Sequence, residues 1–140
     1  MGVLIICMGN EERGDDGAGL EVARNLKGRL PAGVRLLVPG PLDVTLAEEL
    51  QDASRVIFVD ADQRLRDPCE VRAVVDASDA IDAHALSPEA LLATARALYD
   101  ARPAATLVCV RASETGHGRG LTPQARAAAN EATEAVLRLL

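Results

Sequence analysis

Asp15 and Asp16 stand side by side within Met8–Leu20 (MGNEERGDDGAGL), between a short apolar run and the start of an amphipathic one. An apolar run, a Gly-broken turn and a helix form the front half of a βαβ unit, and many such turns hold a phosphate. Gly9 and Gly14 have the spacing of a phosphate-cradling loop, G-x-x-x-x-G, but that loop continues with Lys and then Ser or Thr. This chain continues with Asp15-Asp16. A phosphate would lose the Lys contact and meet two carboxylates, so a cation is the better guest. Two more residues suit a cation. Asp60 closes the apolar run RVIFVD, and His84 precedes a helix start at Ser87-Pro88. Asp16, Asp60 and His84 together would give an O,O,N donor set for a borderline divalent ion such as nickel, zinc or iron.

Each of these residues also has a plainer reading. Asp15 is read as a helix cap, at a helix end where the dipole favours an anion, and the same reading stays open for Asp16. An Asp at a strand end is often a turn former. A lone His before a helix is often a satisfied polar residue. His117, in the glycine loop 116–120, is read as solvated.

The elements must bring the three residues to one edge. Val3–Met8 reads as the first strand. The helix after it, running to Leu30, carries Ala18, Val22, Ala23, Leu26 and Leu30 on one face. Val34–Val38 reads as the second strand, Pro39-Gly40-Pro41 as a turn, and Leu42, Leu46 and Leu50 as the apolar line of a second helix. Arg55–Asp60 is a continuous apolar run, the pattern of a strand covered on both faces. Only residues 61–68 separate it from a fourth strand, Cys69–Val75. A parallel crossover needs a dozen residues or more, so the fourth strand should run antiparallel. Residues 76–85 then return the chain, Ser87-Pro88 opens a helix, and Thr106–Arg111 forms a fifth strand. Thr122-Pro123 opens the last helix. The expected fold class is α/β: one three-layer α/β/α domain over residues 1–140, with a five-stranded, mostly parallel sheet whose fourth strand is antiparallel. Ligands bind such sheets beyond the carboxyl ends of the strands, where neighbouring connections diverge. Strands one and three commonly flank that point, which sets Asp16 beside the end of Asp60's strand and brings His84 to the same edge.

Composition narrows the function classes. Of 140 residues, 49% are hydrophobic but 1% aromatic, so the core must be built from Ala, Leu and Val. The net charge is −6 and the single Lys is Lys27, which leaves no basic footprint for nucleic acid or an anionic membrane. No apolar run reaches the ~18 residues of a spanning helix, and no basic signal region precedes the first strand. A cytoplasmic protein is expected. Its three cysteines agree: the number is odd, and Cys7 and Cys109 sit in apolar runs as small buried hydrophobes. Cys69 is less constrained.

Paired acids after strand one and an Asp ending strand three also occur in phosphoryl-accepting receivers. Those need a Lys at the end of strand five, where this chain has Arg111-Ala112-Ser113. A dinucleotide site fares no better, since Gly9, Asn10 and Gly14 do not give G-x-G-x-x-G. No Ser–His–Asp or Cys–His arrangement and no H-E-x-x-H is evident.

The chain resembles the hydrogenase maturation proteases, which remove a C-terminal extension from the precursor of the large subunit of nickel–iron hydrogenases. The resemblance begins with Gly9-Asn10 and Gly14-Asp15-Asp16-Gly17-Ala18-Gly19. It continues with Asp60 in VIFVDA, His84 ahead of LSPEALLATA, and Gly120-Leu121-Thr122-Pro123. It covers essentially the whole chain in order. It implies an endopeptidase in which Asp16, Asp60 and His84 serve as both the catalytic and the metal-engaging residues. They would meet nickel already inserted in the substrate, with no permanently bound cofactor. The implied partner is the large-subunit precursor, and the protein is expected to work as a monomer. Two routes fit: the three residues grip the substrate's nickel, or Asp16 and Asp60 share a proton as an aspartic dyad. A non-catalytic metal- or partner-binding domain of the same fold is the alternative. One departure concerns the turn after strand two, which usually carries Gly-Gly with Thr or Ser and here reads Val38-Pro39-Gly40-Pro41-Leu42-Asp43.

Overall fold

A computed structural model describes residues 2–9, 11–75, 86–113 and 120–140. Strand β1 (Gly2–Cys7) is flanked on either side by parallel neighbours, β2 (Val34–Leu37) and β3 (Ala53–Asp62). Strand β5 (Ala104–Arg111) lies parallel to β3, and β4 (Cys69–Val74) closes the edge antiparallel to β5. The order is β2-β1-β3-β5-β4. The short 63–68 connection enforces the reversal at β4, as loop length alone requires.

Alternation along the central strands builds two cores. Leu4 and Ile6 of β1, Val56 and Phe58 of β3, and Leu107 and Cys109 of β5 face one layer, made of helix α2 (Pro88–Tyr99) and a 3-10 helix over Val44–Asp52. Ile5, Cys7, Ile57, Val59, Val108 and Val110 face the other, made of α1 (Ala18–Leu26) and α3 (Pro123–Leu139). The predicted three-layer architecture holds. With Phe58 the single Phe, small residues do much of the packing: Ala128, Ala129 and Ala132 let α3 lie close on the sheet. Asn25 of α1 donates to Asn130 Oδ1 (3.1 Å) and to Thr133 Oγ1 (3.2 Å) of α3, which joins the two helices by their polar edges.

Strand ends shift from expectation by one or two residues, and larger departures occur around the helices. A 3-10 helix over Glu11–Gly17 precedes α1, whose cap position is Gly17 with no side-chain cap bond. Neither Asp15 nor Asp16 caps it, and Asp15 spends its carboxylate elsewhere. The helix stops at Leu26 instead of Leu30: Lys27 has ψ of 129° and Gly28 takes a positive φ of 78°. The segment after β2 is a 3-10 helix that begins after Leu42, where Asp43 accepts from the Thr45 amide and fixes the start. Strand β3 continues two residues past Asp60, because Ala61 and Asp62 still pair with Val110 and Arg111.

Candidate functional site

The carboxyl ends of β1 and β3 lie side by side, and the chain leaves them in opposite directions across the sheet. Asp16 sits in the 3-10 helix that follows β1, half-buried. Its backbone is held from behind. Gly9 has a φ of +152°, and a Cβ there would lie 2.4 Å from the Asp16 carbonyl oxygen. Only glycine allows that approach. At Gly19 a second close approach follows: a Cβ would meet the Met8 carbonyl oxygen at 2.1 Å and that of Val59 at 3.2 Å. Gly9 and Gly19 therefore seat the start of α1 directly on the ends of β1 and β3.

Asp60 reaches the same edge from β3. Its Oδ1 accepts from the Ala61 amide at 2.9 Å. Burial pushes its carboxyl up to about 6; the Ala61 bond opposes this, while the charges of Asp16 and then Asp62 add to it. Asp16 and Asp60 thus lie closely enough to feel one another's charge. On the α2 side, Asp60 opens onto a cleft of about 390 Å³ lined also by Asp62, Arg64, Arg72 and Pro88. Pro88 is the first residue of α2, capped by Ser87, whose hydroxyl accepts from the Ala90 amide at 3.1 Å. The N-terminus of α2 therefore opens beside Asp60.

Of the three candidate ligands, two are brought to one rim. The third, His84, lies outside the described residues, as does His117. Among the described residues no group of three or more His, Cys, Asp or Glu is arranged to hold a metal ion. Cys7 and Cys109 are buried as expected, and burial pushes the Cys7 thiol up to about 12.

Sequence reasoning missed the role of Asp15. It is fully buried and accepts from the Ser113 amide (2.9 Å), the Thr122 amide (2.8 Å) and the Thr122 hydroxyl (2.9 Å). The Thr122 hydroxyl also accepts from the Ala125 amide (3.1 Å), capping α3. The available signal was the doubled acid itself, since one helix start needs one cap.

No family model matches the chain, and no curated protein matches it by sequence. Solved structures do. The chain is similar to the hydrogenase maturating endopeptidase HybD from E. coli, with a TM-score of 0.82 and 24% identity over 100% of this chain and 92% of that one. It is similar to the [NiFe] hydrogenase maturation protease HybD from Thermococcus kodakarensis, with a TM-score of 0.77 and 26% identity over 99% of both chains. The hydrogenase 2 maturation peptidase from Thaumarchaeota archaeon SCGC_AB-539-E09 gives 0.75 and 25%, over 99% of this chain and 97% of that one. By its fold and by how completely both chains are covered, the chain is a structural homologue of the hydrogenase maturation proteases.

Proposed function

We propose that the chain is an endopeptidase that removes the C-terminal extension from the nickel-loaded precursor of a nickel–iron hydrogenase large subunit. The observation that supports this reading is that Asp16, in the connector after β1, and Asp60, on the neighbouring strand β3, belong to the carboxyl ends of adjacent strands, in a chain that shares its fold with proteases of that name. His84 completes the set. It stands four residues before Pro88, and Pro88 lines Asp60's cleft. Residues 1–140 act on this reading as one cytoplasmic, monomeric domain.

Asp16, Asp60 and His84 grip the nickel that the precursor displays. The metal is part of the substrate. It places the extension for attack by water and polarises the scissile carbonyl. The rival route is a proton-sharing dyad of Asp16 and Asp60. A helix start favours the ionised form of a nearby carboxylate, which makes Asp16 a good ligand and a poor general base, and this favours the ligand role.

The test is to incubate the protein with its nickel-loaded precursor and weigh the products. A large subunit shortened at its C-terminus is expected. An unshortened one would instead support a binding domain of this fold that engages precursor or nickel without cutting. Asp16→Asn and His84→Ala should each abolish processing; full activity in either variant removes that residue from the mechanism.

A further inference from the structure

The mechanism above leaves one buried acid unused. Asp15 is adjacent in the chain to Asp16, has no exposed surface, and has its carboxylate turned away from the rim toward the α3 layer. Its bonds join segments far apart in sequence: Ser113, just beyond β5, and Thr122, the cap of α3. Each of these groups donates, which suits the acceptor-only form of a carboxylate. Two of the donors are backbone amides, whose positions follow from the main chain and leave little play.

We infer that Asp15 is a positioning residue, the strut that fixes where Asp16 meets the substrate. The inference rests on the reading of Asp16 as a substrate-engaging group. The backbone at Asp16 is held on two sides. Gly9 backs its carbonyl at a distance that no side chain could tolerate, and the Asp15 carboxylate pins the preceding residue to the end of β5 and the start of α3. The bonds of a 3-10 helix such as Glu11–Gly17 have poorer geometry than those of an α-helix, so these outside attachments help to set its position. Groups that orient a metal-engaging side chain from behind typically change activity by about 10–100-fold when altered. Asp15 therefore contributes to turnover without touching nickel or peptide. Pairing of adjacent acids divides the work: one faces the protein and one faces the substrate.

The probe is Asp15→Asn in the full chain. Asn keeps the size and one acceptor oxygen but turns an N–H toward one of the donors. With nickel-loaded precursor, at a temperature where far-UV circular dichroism shows parent and variant equally folded, kcat should fall about 10–100-fold. KM should stay within about threefold. Loss of activity that only follows the unfolded fraction would overturn the inference, as would a kcat within about twofold of the parent. A second readout does not need cleavage. In 15N-resolved spectra the amides of Asp16, Gly17, Ser113 and Thr122 should all move in the variant, and Ser113 and Thr122 should lose exchange protection. Unmoved Asp16 and Gly17 amides would overturn the inference even if the parent proves not to cut the precursor, a result that would by itself count only against the proteolytic reading.

Discussion

Replacing Asp60 by Asn should make the protein more stable at neutral pH while ending its function. The side chain is half-buried, and desolvation lifts its carboxyl from 3.8 to about 6. A carboxyl whose folded value lies above its unfolded one contributes stability that is fully present below about 3.8 and lost as pH rises through about 6. At pH 8 the ionised group thus weakens the fold. The gap between the two values, at about 1.36 kcal/mol per pH unit, sets an upper bound of about 3 kcal/mol. Partial solvent contact reduces this, so about 1–3 kcal/mol is expected. Asn keeps the Oδ1 that accepts from the Ala61 amide at 2.9 Å and carries no charge beside Asp16 and Asp62. For a domain of this size the gain corresponds to a Tm rise of about 4–10 °C. Urea unfolding followed by far-UV circular dichroism at pH 8, 6 and 4 would measure it. The advantage of Asp60→Asn should be largest at pH 8 and shrink steadily toward pH 4. A variant less stable than the parent at pH 8, or an advantage that does not change with pH, would refute the reasoning.

Other outcomes follow from the same structure. In Asp16→Asn, a 13C-detected titration should show Asp60 still well above 3.8, because burial is the first cause of its shift; a fall to the ordinary carboxylate value would revive the proton-sharing dyad. Gly19→Ala places a methyl 2.1 Å from the Met8 carbonyl oxygen, and a chemical-denaturation curve should show a loss of about 1–3 kcal/mol. Ser87→Ala removes the cap of α2 and should cost about 1 kcal/mol by the same measurement. Alkylation followed by mass spectrometry should label half-buried Cys69 before Cys7, whose thiol burial holds near 12.

The layer order and strand directions were readable from the chain because they follow from lengths and periods. Eight residues, 61–68, cannot cross over a sheet, and RVIFVD can be covered only from both sides. The start of α1 was not readable. Consecutive acids before a helix look like caps, and distant donors such as Ser113 and Thr122, contributed by the far end of the sequence, draw Asp15 inward. The extent of β3 was hidden for a similar reason: Asp60 resembles a strand end until β5 supplies partners for Ala61 and Asp62. The nearness of Asp16 to Asp60 follows from the crossover between β1 and β3, a rule of topology. The lift in Asp60's carboxyl was not foreseeable, since desolvation depends on the packing around it.

The backbone contacts at Gly9 and Gly19 have a consequence for how such a chain can diverge. Main chain rests on main chain at both positions, so the connector from β1 to α1 behaves like a cassette of set length clipped in at two points. Point changes between the clips leave its length intact, whereas a single inserted or deleted residue would force one clip open and carry Asp16 off its bearing. Along this lineage the count of residues in that connector should drift far more slowly than their identities.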